Sequence, residues 1–178
     1  MNSRILLFFA ILLIIGCAQK EIIEKDISKE DGQMKITSPV FQNNGNIPSK
    51  YTCQGEDINP ELNIEGIPEN AKSLVLIMDD PDAPVGVWDH WVLFNISMIT
   101  KINEDSVPQG AVQGKNSWEK NGYGGPCPPS GTHRYIFKLY ALDATLDIGS
   151  SSDKNDVEQE MRGHILSETK LVGLYSKG

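Results

Sequence analysis

The sequence predicts a mainly β domain, a β-sandwich with few helical additions. Short runs rich in branched and aromatic residues recur between residues 34 and 142, the composition of strands. Clusters of Asn, Gly and Pro separate them, as turns require. The sharpest helical spacing of apolar positions comes late, near residues 156–167. Strands followed by one helix suit a packed β architecture with a helix at its periphery.

The elements follow in chain order. Residues 34–38 (MKITS) alternate and lead into Pro39, which suits a first strand. Asn43-Asn44-Gly45-Asn46 is turn chemistry. Residues 62–64 make a short strand closed by Glu65-Gly66-Ile67-Pro68. Residues 73–78 (SLVLIM) are an apolar run ended by acids and prolines, the pattern of a buried strand. Residues 91–96 (WVLFNI) and 135–142 (YIFKLYAL) are rich in strand-forming side chains. Ser152 or Asp153 can cap a helix over 156–167, with Val157, Met161, Ile165 and Leu166 on one apolar face and Gly163 weakening it. No internal repeat is apparent.

The first residues read as an address. Arg4 is followed by eleven apolar residues, 5–15. That run is too short to span about 30 Å of hydrocarbon and suits a signal-peptide core. Ile14-Ile15-Gly16-Cys17 then resembles a bacterial lipobox, with Cys17 as the lipidated residue. Residues 1–16 are expected to be the leader, 17–33 the lipidated cysteine and a flexible polar tether, and 34–178 the domain. A short amphipathic helix around Ile22, Ile23 and Ile27 is the alternative for the tether. The expected location is the cell envelope, anchored to a membrane through Cys17. Ala18 lacks the charge that often retains lipoproteins on the inner membrane, which favours the outer one. The net charge is −8, and −9 once Arg4 leaves with the leader. That balance excludes nonspecific nucleic-acid binding, which depends on Lys and Arg neutralising phosphates. No C-x-x-C pair, G-x-S-x-G elbow or H-E-x-x-H helix is present, and no cofactor is expected.

Two segments carry chemistry. The first is Asp79-Asp80-Pro81-Asp82-Ala83-Pro84, followed by Trp88-Asp89-His90-Trp91. Three carboxylates in four residues repel one another, and two prolines stiffen the turn that holds them. Such a turn can also hold a cis X-Pro bond. The second runs from Gly122 to Tyr135 (GYGGPCPPSGTHRY). Its glycines let a ligand approach the backbone, and its prolines hold the loop. His133 and Tyr135 are two apart at a strand start and share a face, with Arg134 opposite and available to a carboxylate. Strand alternation also sends Trp91 away from His90.

Together these motifs resemble the phosphatidylethanolamine-binding protein family, which includes the Raf kinase inhibitor protein and its bacterial relatives. The likeness lies in Asp80-Pro81-Asp82-Ala83-Pro84, Trp88-x-His90, and Gly125-Pro126-x-Pro128-Pro129 leading into His133-Arg134-Tyr135. The stretch from Tyr51-Thr52-Cys53 through Asn59-Pro60-Glu61-Leu62, and Met161-x-Gly163-His164, resemble its bacterial branch. The resemblance implies a β-sandwich with a small pocket for phosphate-like or carboxylate-like groups. By position, Asp80, Asp82, Trp88, His90, Gly125, Pro128, His133 and Tyr135 match its lining. His90, His133 and Tyr135 can donate to an anion, backbone N–H groups near Gly125 can assist, and Trp88 would be an apolar wall. Asp80 or Asp82 can orient a histidine or receive a ligand amine. The chain departs from the family in its short Val85-Gly86-Val87 stretch and in Cys127, where many eukaryotic members carry glycine. Tyr175 is the candidate for a pocket-closing C-terminal aromatic, and His164 is read as structural.

Cys53 and Cys127 are the cysteines left to the domain, and outside the cytoplasm they are expected to pair. The expected function is a membrane-tethered binding protein, without catalysis, for a small anionic ligand or phospholipid head group. Neither lipid specificity nor kinase inhibition follows from the residues. One alternative is a metal-dependent hydrolase built on Asp80, Asp82, His90 and His133. Another is an envelope interaction module that leaves the pocket unused.

Overall fold

The computed structural model describes residues 33–177. The expectations for the leader, for Cys17 and for all but the last residue of the tether lie outside the described residues. Residues 34–178 form one compact unit.

Nine strands and one short helix make up the described part. They are β1 (Lys35–Thr37), β2 (Gly45–Asn46), β3 (Leu62–Glu65), β4 (Ser73–Asp80), β5 (Trp88–Ile96), β6 (Lys101–Ile102), β7 (Val112–Gln113), β8 (Thr132–Leu142), α1 (Lys154–Glu160) and β9 (Ile165–Ser176). A 3₁₀ turn, Ser49–Tyr51, follows β2. The strands form a three-stranded sheet, β1-β3-β6, and a six-stranded sheet, β2-β9-β8-β4-β5-β7. Every pairing is antiparallel except that of β2 with β9.

The large sheet is covered on both faces. Leu74, Leu76, Met78, Trp91, Leu93, Phe137 and Leu139 pack with Ile36, Leu62, Ile64 and Ile102 of the small sheet. Val75, Ile77, Val92 and Phe94 pack on the opposite side with Leu146 and with Val157 and Met161 at α1. β4 is therefore buried at all eight positions, which explains why its sequence is a continuous apolar run rather than an alternation. Burying each such large side chain stabilises the fold by about 1.5–3 kcal/mol.

The late helix differs from expectation. Asp153 caps α1, accepting from the Asp156 N–H at 3.1 Å, while Asp156 accepts from the Asp153 N–H at 3.2 Å. Val157 and Met161 are buried as the apolar spacing predicts, but Ile165 and Leu166 belong to β9. Gly163 adopts φ 84°, a left-handed conformation that ends helices readily. Beyond it the chain joins β8 in an antiparallel ladder that runs from Leu142–Ile165 to Thr132–Ser176. The polar stretch Ser167–Lys170 hid this strand from the sequence reading. His164 lies in the turn between α1 and β9, outside any helix, with Nδ1 2.7 Å from the Asp143 carboxylate. Among the described residues every peptide bond is trans, and no helix is long and apolar enough to cross a membrane.

Candidate functional site

Four strands of the large sheet bring the motif residues to one end. Asp80 closes β4, Trp88 and His90 open β5, His133 and Tyr135 open β8, and Tyr175 lies near the close of β9. Asp80 pairs across strands with Trp88, and His133 with Tyr175.

The acidic run is separated into three environments. Alternation sends Asp79 and Asp80 to opposite faces of β4. On the α1 face, Asp79 is buried and its Oδ2 lies 2.6 Å from Lys138 Nζ. Lys154 is 3.9 Å from the same oxygen and 2.5 Å from Asp89 Oδ1. On the small-sheet face, Asp80 Oδ2 accepts from His133 Nδ1 at 2.7 Å, and Asp80 Oδ1 accepts from the Asp82 N–H at 2.8 Å. Asp82 is gripped by Arg134, whose N–H and Nε both donate to Oδ2 at 2.9 Å and whose Nη2 donates to Oδ1 at 2.7 Å. That guanidinium holds the Asp82 carboxyl down at about 2. Asp80 thus orients a histidine, whereas Asp82 braces the turn. The four residues of the hydrolase alternative do not converge as one donor set. Among the described residues no three His, Cys, Asp or Glu side chains gather as a metal site needs.

His90 reaches the site because of a β-bulge. β4 and β5 pair Met78 with Trp91 and then Asp79 with Asp89, leaving His90 as an extra residue. Alternation would place His90 and Trp91 on opposite faces, but the bulge brings both toward the small sheet. The His90 ring meets the Tyr135 ring edge-on at 5.1 Å, and Trp91 packs in the same cluster as Tyr135. Nδ1 of His90 donates to the Gly124 carbonyl at 2.6 Å. Burial pushes the His90 pKa down, more than the Gly124 bond and Asp80, Asp89 and Asp57 raise it.

That shift predicts a pH effect on stability. The unfolded chain binds a proton at His90 near pH 6.5, and the folded chain binds it only at lower pH. The unfolded state therefore holds more protons as pH falls below that value, and stability declines. His90→Asn keeps an N–H for Gly124 and removes the titration. Its urea midpoint should fall less between about pH 7 and about pH 5 than that of the parent; equal declines would remove His90 as the cause.

The glycine- and proline-rich segment is a wall tied to a second loop. Cys53 and Cys127 form a disulfide with Cα atoms 5.5 Å apart. The Cys53 N–H donates to the Pro126 carbonyl at 3.2 Å, and the Tyr123 hydroxyl to the Tyr51 carbonyl at 2.8 Å. Gly125 is glycine because of this packing. A Cβ there would lie 2.4 Å from Asp57 Oδ1 and 2.6 Å from the Tyr51 carbonyl oxygen. The close approach expected of a ligand at Gly125 is made by this loop, and the Gly125 N–H is already taken by Asp57 at 2.7 Å. Pro128 is buried in the same wall. Tyr175 is tied by its hydroxyl to Gln54 at 2.5 Å, beside Cys53.

The sequence reading missed Trp118. Its ring meets His90 at 5.0 Å and Trp88 at 5.4 Å, both edge-on. The third tryptophan of the chain, just before a glycine-rich run, was the available signal. Gly124, Asp57 and Gln54 hold His90, Gly125 and Tyr175.

Among the described residues, two buried hydrogen-bond donors are left over. Trp88 Nε1 and the Tyr135 hydroxyl are sealed from solvent without a hydrogen-bond partner. Burial, then the charge of Asp80, raises the Tyr135 pKa far above the phenol range, so the hydroxyl keeps its proton. The Asp80 carboxylate and the Cys127 N–H lie near it without an aligned bond. A cavity of about 310 Å³ lies elsewhere, beside β1 and β9, and contains none of these residues.

Fold and site together define a β-sandwich of a ligand-binding kind, with its polar groups gathered at one end of the larger sheet. The profile of the phosphatidylethanolamine-binding protein family matches residues 37–176. The chain belongs to that family. It is 52% identical over 151 residues to a UPF0098 protein of Methanothermobacter thermautotrophicus, covering 82% of this chain and all of that one. A putative phosphatidylethanolamine-binding protein homologue from Chlamydia trachomatis superposes with TM-score 0.80 at 40% identity, over 83% of this chain and 99% of that one. E. coli YbcL, described as a new member of the mammalian family, superposes with TM-score 0.77 at 29% identity, over 82% and 99% of the two chains.

Proposed function

We propose that this chain is a membrane-tethered binding protein, without catalytic chemistry of its own, whose site takes a small anionic group of phosphate or carboxylate kind. The observation that carries the reading is the pair of buried, unpartnered donors, Trp88 Nε1 and the Tyr135 hydroxyl. Burying a donor without an acceptor costs about 1–3 kcal/mol, and a bound oxyanion would supply a missing acceptor. Trp118 and His90 link the two donors through successive ring contacts. His133, oriented by Asp80, stands on the same face of β8 as Tyr135. The tether rests on the lipobox-like Ile14-Ile15-Gly16-Cys17. Multiple acyl chains, at about 0.8 kcal/mol per buried CH₂, would hold the domain on an envelope membrane.

Native mass spectrometry of the purified chain with phosphate, phosphoethanolamine and acetate tests the site. One adduct is expected, lost in Tyr135→Phe and His133→Ala; binding unchanged in both variants would defeat the reading. In cells, Cys17→Ala should move the protein from membrane to soluble fractions, and continued membrane retention would remove the anchor.

A further inference from the structure

We propose that Lys154, behind the large sheet, is a positioning residue that holds the β5 bulge and so keeps His90 on the face of the site. This rests on His90 belonging to the site described above, but its test needs no ligand.

Directly opposed residues of an antiparallel pair share a face. β4 and β5 pair Met78 with Trp91, and a regular ladder would continue with Asp79 opposite His90 and Asp80 opposite Asp89. His90 would then lie on the α1 face, and Asp89 would meet the Asp80 carboxylate on the small-sheet face. The bulge instead opposes Asp79 with Asp89 and Asp80 with Trp88. Either register sets two carboxylates against each other, and like charges directly opposite destabilise a pair. The position of the cations separates the two registers.

Lys138 and Lys154 both reach the α1 face. Lys138 Nζ lies 2.6 Å from Asp79 Oδ2, and Lys154 Nζ lies 2.5 Å from Asp89 Oδ1 and 3.9 Å from Asp79 Oδ2. Among the described residues Lys154 is the one cation within ion-pair distance of both opposed acids. On the small-sheet face, Asp80 accepts from His133 Nδ1 and the Asp82 N–H, neither of them a lysine or arginine. The bulge thus carries Asp89 to the face that holds the lysines. The side chains of Lys154 and Asp89 are 13% and 17% exposed, so salt screens their attraction weakly.

Lys154 opens α1, the helix end that disfavours a cation, so helix stability does not account for it. That end is stitched to the loop after β7. The Lys115 N–H donates to the Ser152 carbonyl at 2.8 Å, and Asn121 Nδ2 to the Ser150 carbonyl at 2.6 Å. The same loop grips the bulge. The Asp89 N–H donates to Ser117 Oγ at 2.8 Å, the Ser117 N–H to the Asp89 carbonyl at 2.9 Å, and the Gly124 N–H to the His90 carbonyl at 3.0 Å. These bonds give the lysine a fixed starting point, and its ion pair sets the face that the Asp89 side chain takes.

Nuclear magnetic resonance of the purified chain tests this through cross-peaks from the His90 ring to the rings of Tyr135 and Trp118, whose centroids lie 5.1 and 5.0 Å away. Lys154→Met should abolish both sets. Lys154→Arg, which still bridges the two acids, should keep them, and so should Lys138→Met, which leaves Lys154 in place. A lysine that only stabilised the fold would lower the unfolding midpoint and leave the cross-peaks of the folded protein unchanged. Cross-peaks of parental intensity in Lys154→Met overturn the proposal, as does their loss in Lys154→Arg or in Lys138→Met. Should Lys154→Met fail to fold, the exchange of partners decides. Asp89→Lys with Lys154→Asp keeps the combined reach of the pair and should restore folding and the cross-peaks; an exchanged chain without them overturns the proposal. Titration of the parent with inorganic phosphate reads the anion site separately: cross-peaks present without phosphate binding defeat that site and support the positioning role.

Discussion

Removing the Cys53–Cys127 disulfide is expected to lower the unfolding free energy by about 4 kcal/mol. The bond joins residues 74 apart in sequence, and chain entropy sets the gain from closing a loop of that length. The native loops keep other ties, from Gly125 to Asp57, Cys53 to Pro126 and Tyr123 to Tyr51. The loss should therefore fall mainly on the unfolded chain, with the site still assembled. A domain with total stability of about 5–15 kcal/mol becomes marginal. Urea unfolding of the Cys53→Ala, Cys127→Ala double variant against the oxidised parent measures this. A loss below about 1 kcal/mol would refute the entropic account. Two reactive thiols on the unreduced, unfolded chain would refute the bond itself.

Asp80→Ala is expected to cost about 3 kcal/mol and to abolish ligand binding. Asp80 is 3% exposed and accepts from His133 Nδ1 and the Asp82 N–H. Its loss strands both donors, each at about 1–3 kcal/mol, and frees the His133 ring to rotate. Asp80→Asn keeps an acceptor and the shape but not the charge. It should recover most of the stability, while binding stays weaker than in the parent. Equilibrium unfolding and ligand titration on both variants separate the two effects. An alanine variant within about 1 kcal/mol of the parent, binding normally, would show that Asp80 does neither.

Local chemistry carried the sequence reading where it succeeded. The apolar run 73–78 and the aromatic runs of β5 and β8 are strands because their side chains pack on pleated, buried surfaces. The helix cap at Asp153 was readable because capping is a short-range bond. β9 was not readable: its polar middle, Ser167–Lys170, has no apolar alternation, and pairing with β8 makes it a strand. Helical spacing at Ile165 and Leu166 lost to that pairing once Gly163 turned the chain.

The candidate site divides the same way. Which residues carry chemistry was visible as two motifs, and the placement of Asp80 beside His133 follows from their positions at adjacent strand ends. The partner of each acid was not visible. Asp79 and Asp82 look equivalent to Asp80 in the run, yet one faces Lys138 behind the sheet and the other is held by Arg134. Gly125 looked like a place for a ligand, but a loop from about 70 residues earlier fills it.

By itself the sequence determined a mainly β domain, its strongest strands, the capped start of the helix and the two motifs, because periodicity, turn chemistry and capping act over a few residues. Tertiary structure alone decided that β9 exists, that His90 shares a face with Trp91, and that Trp88 Nε1 and the Tyr135 hydroxyl are buried without partners among the described residues. Those outcomes depend on strand register and on a one-residue bulge. A bulge reverses which way a side chain points, and nothing local in Trp88-Asp89-His90-Trp91 records it.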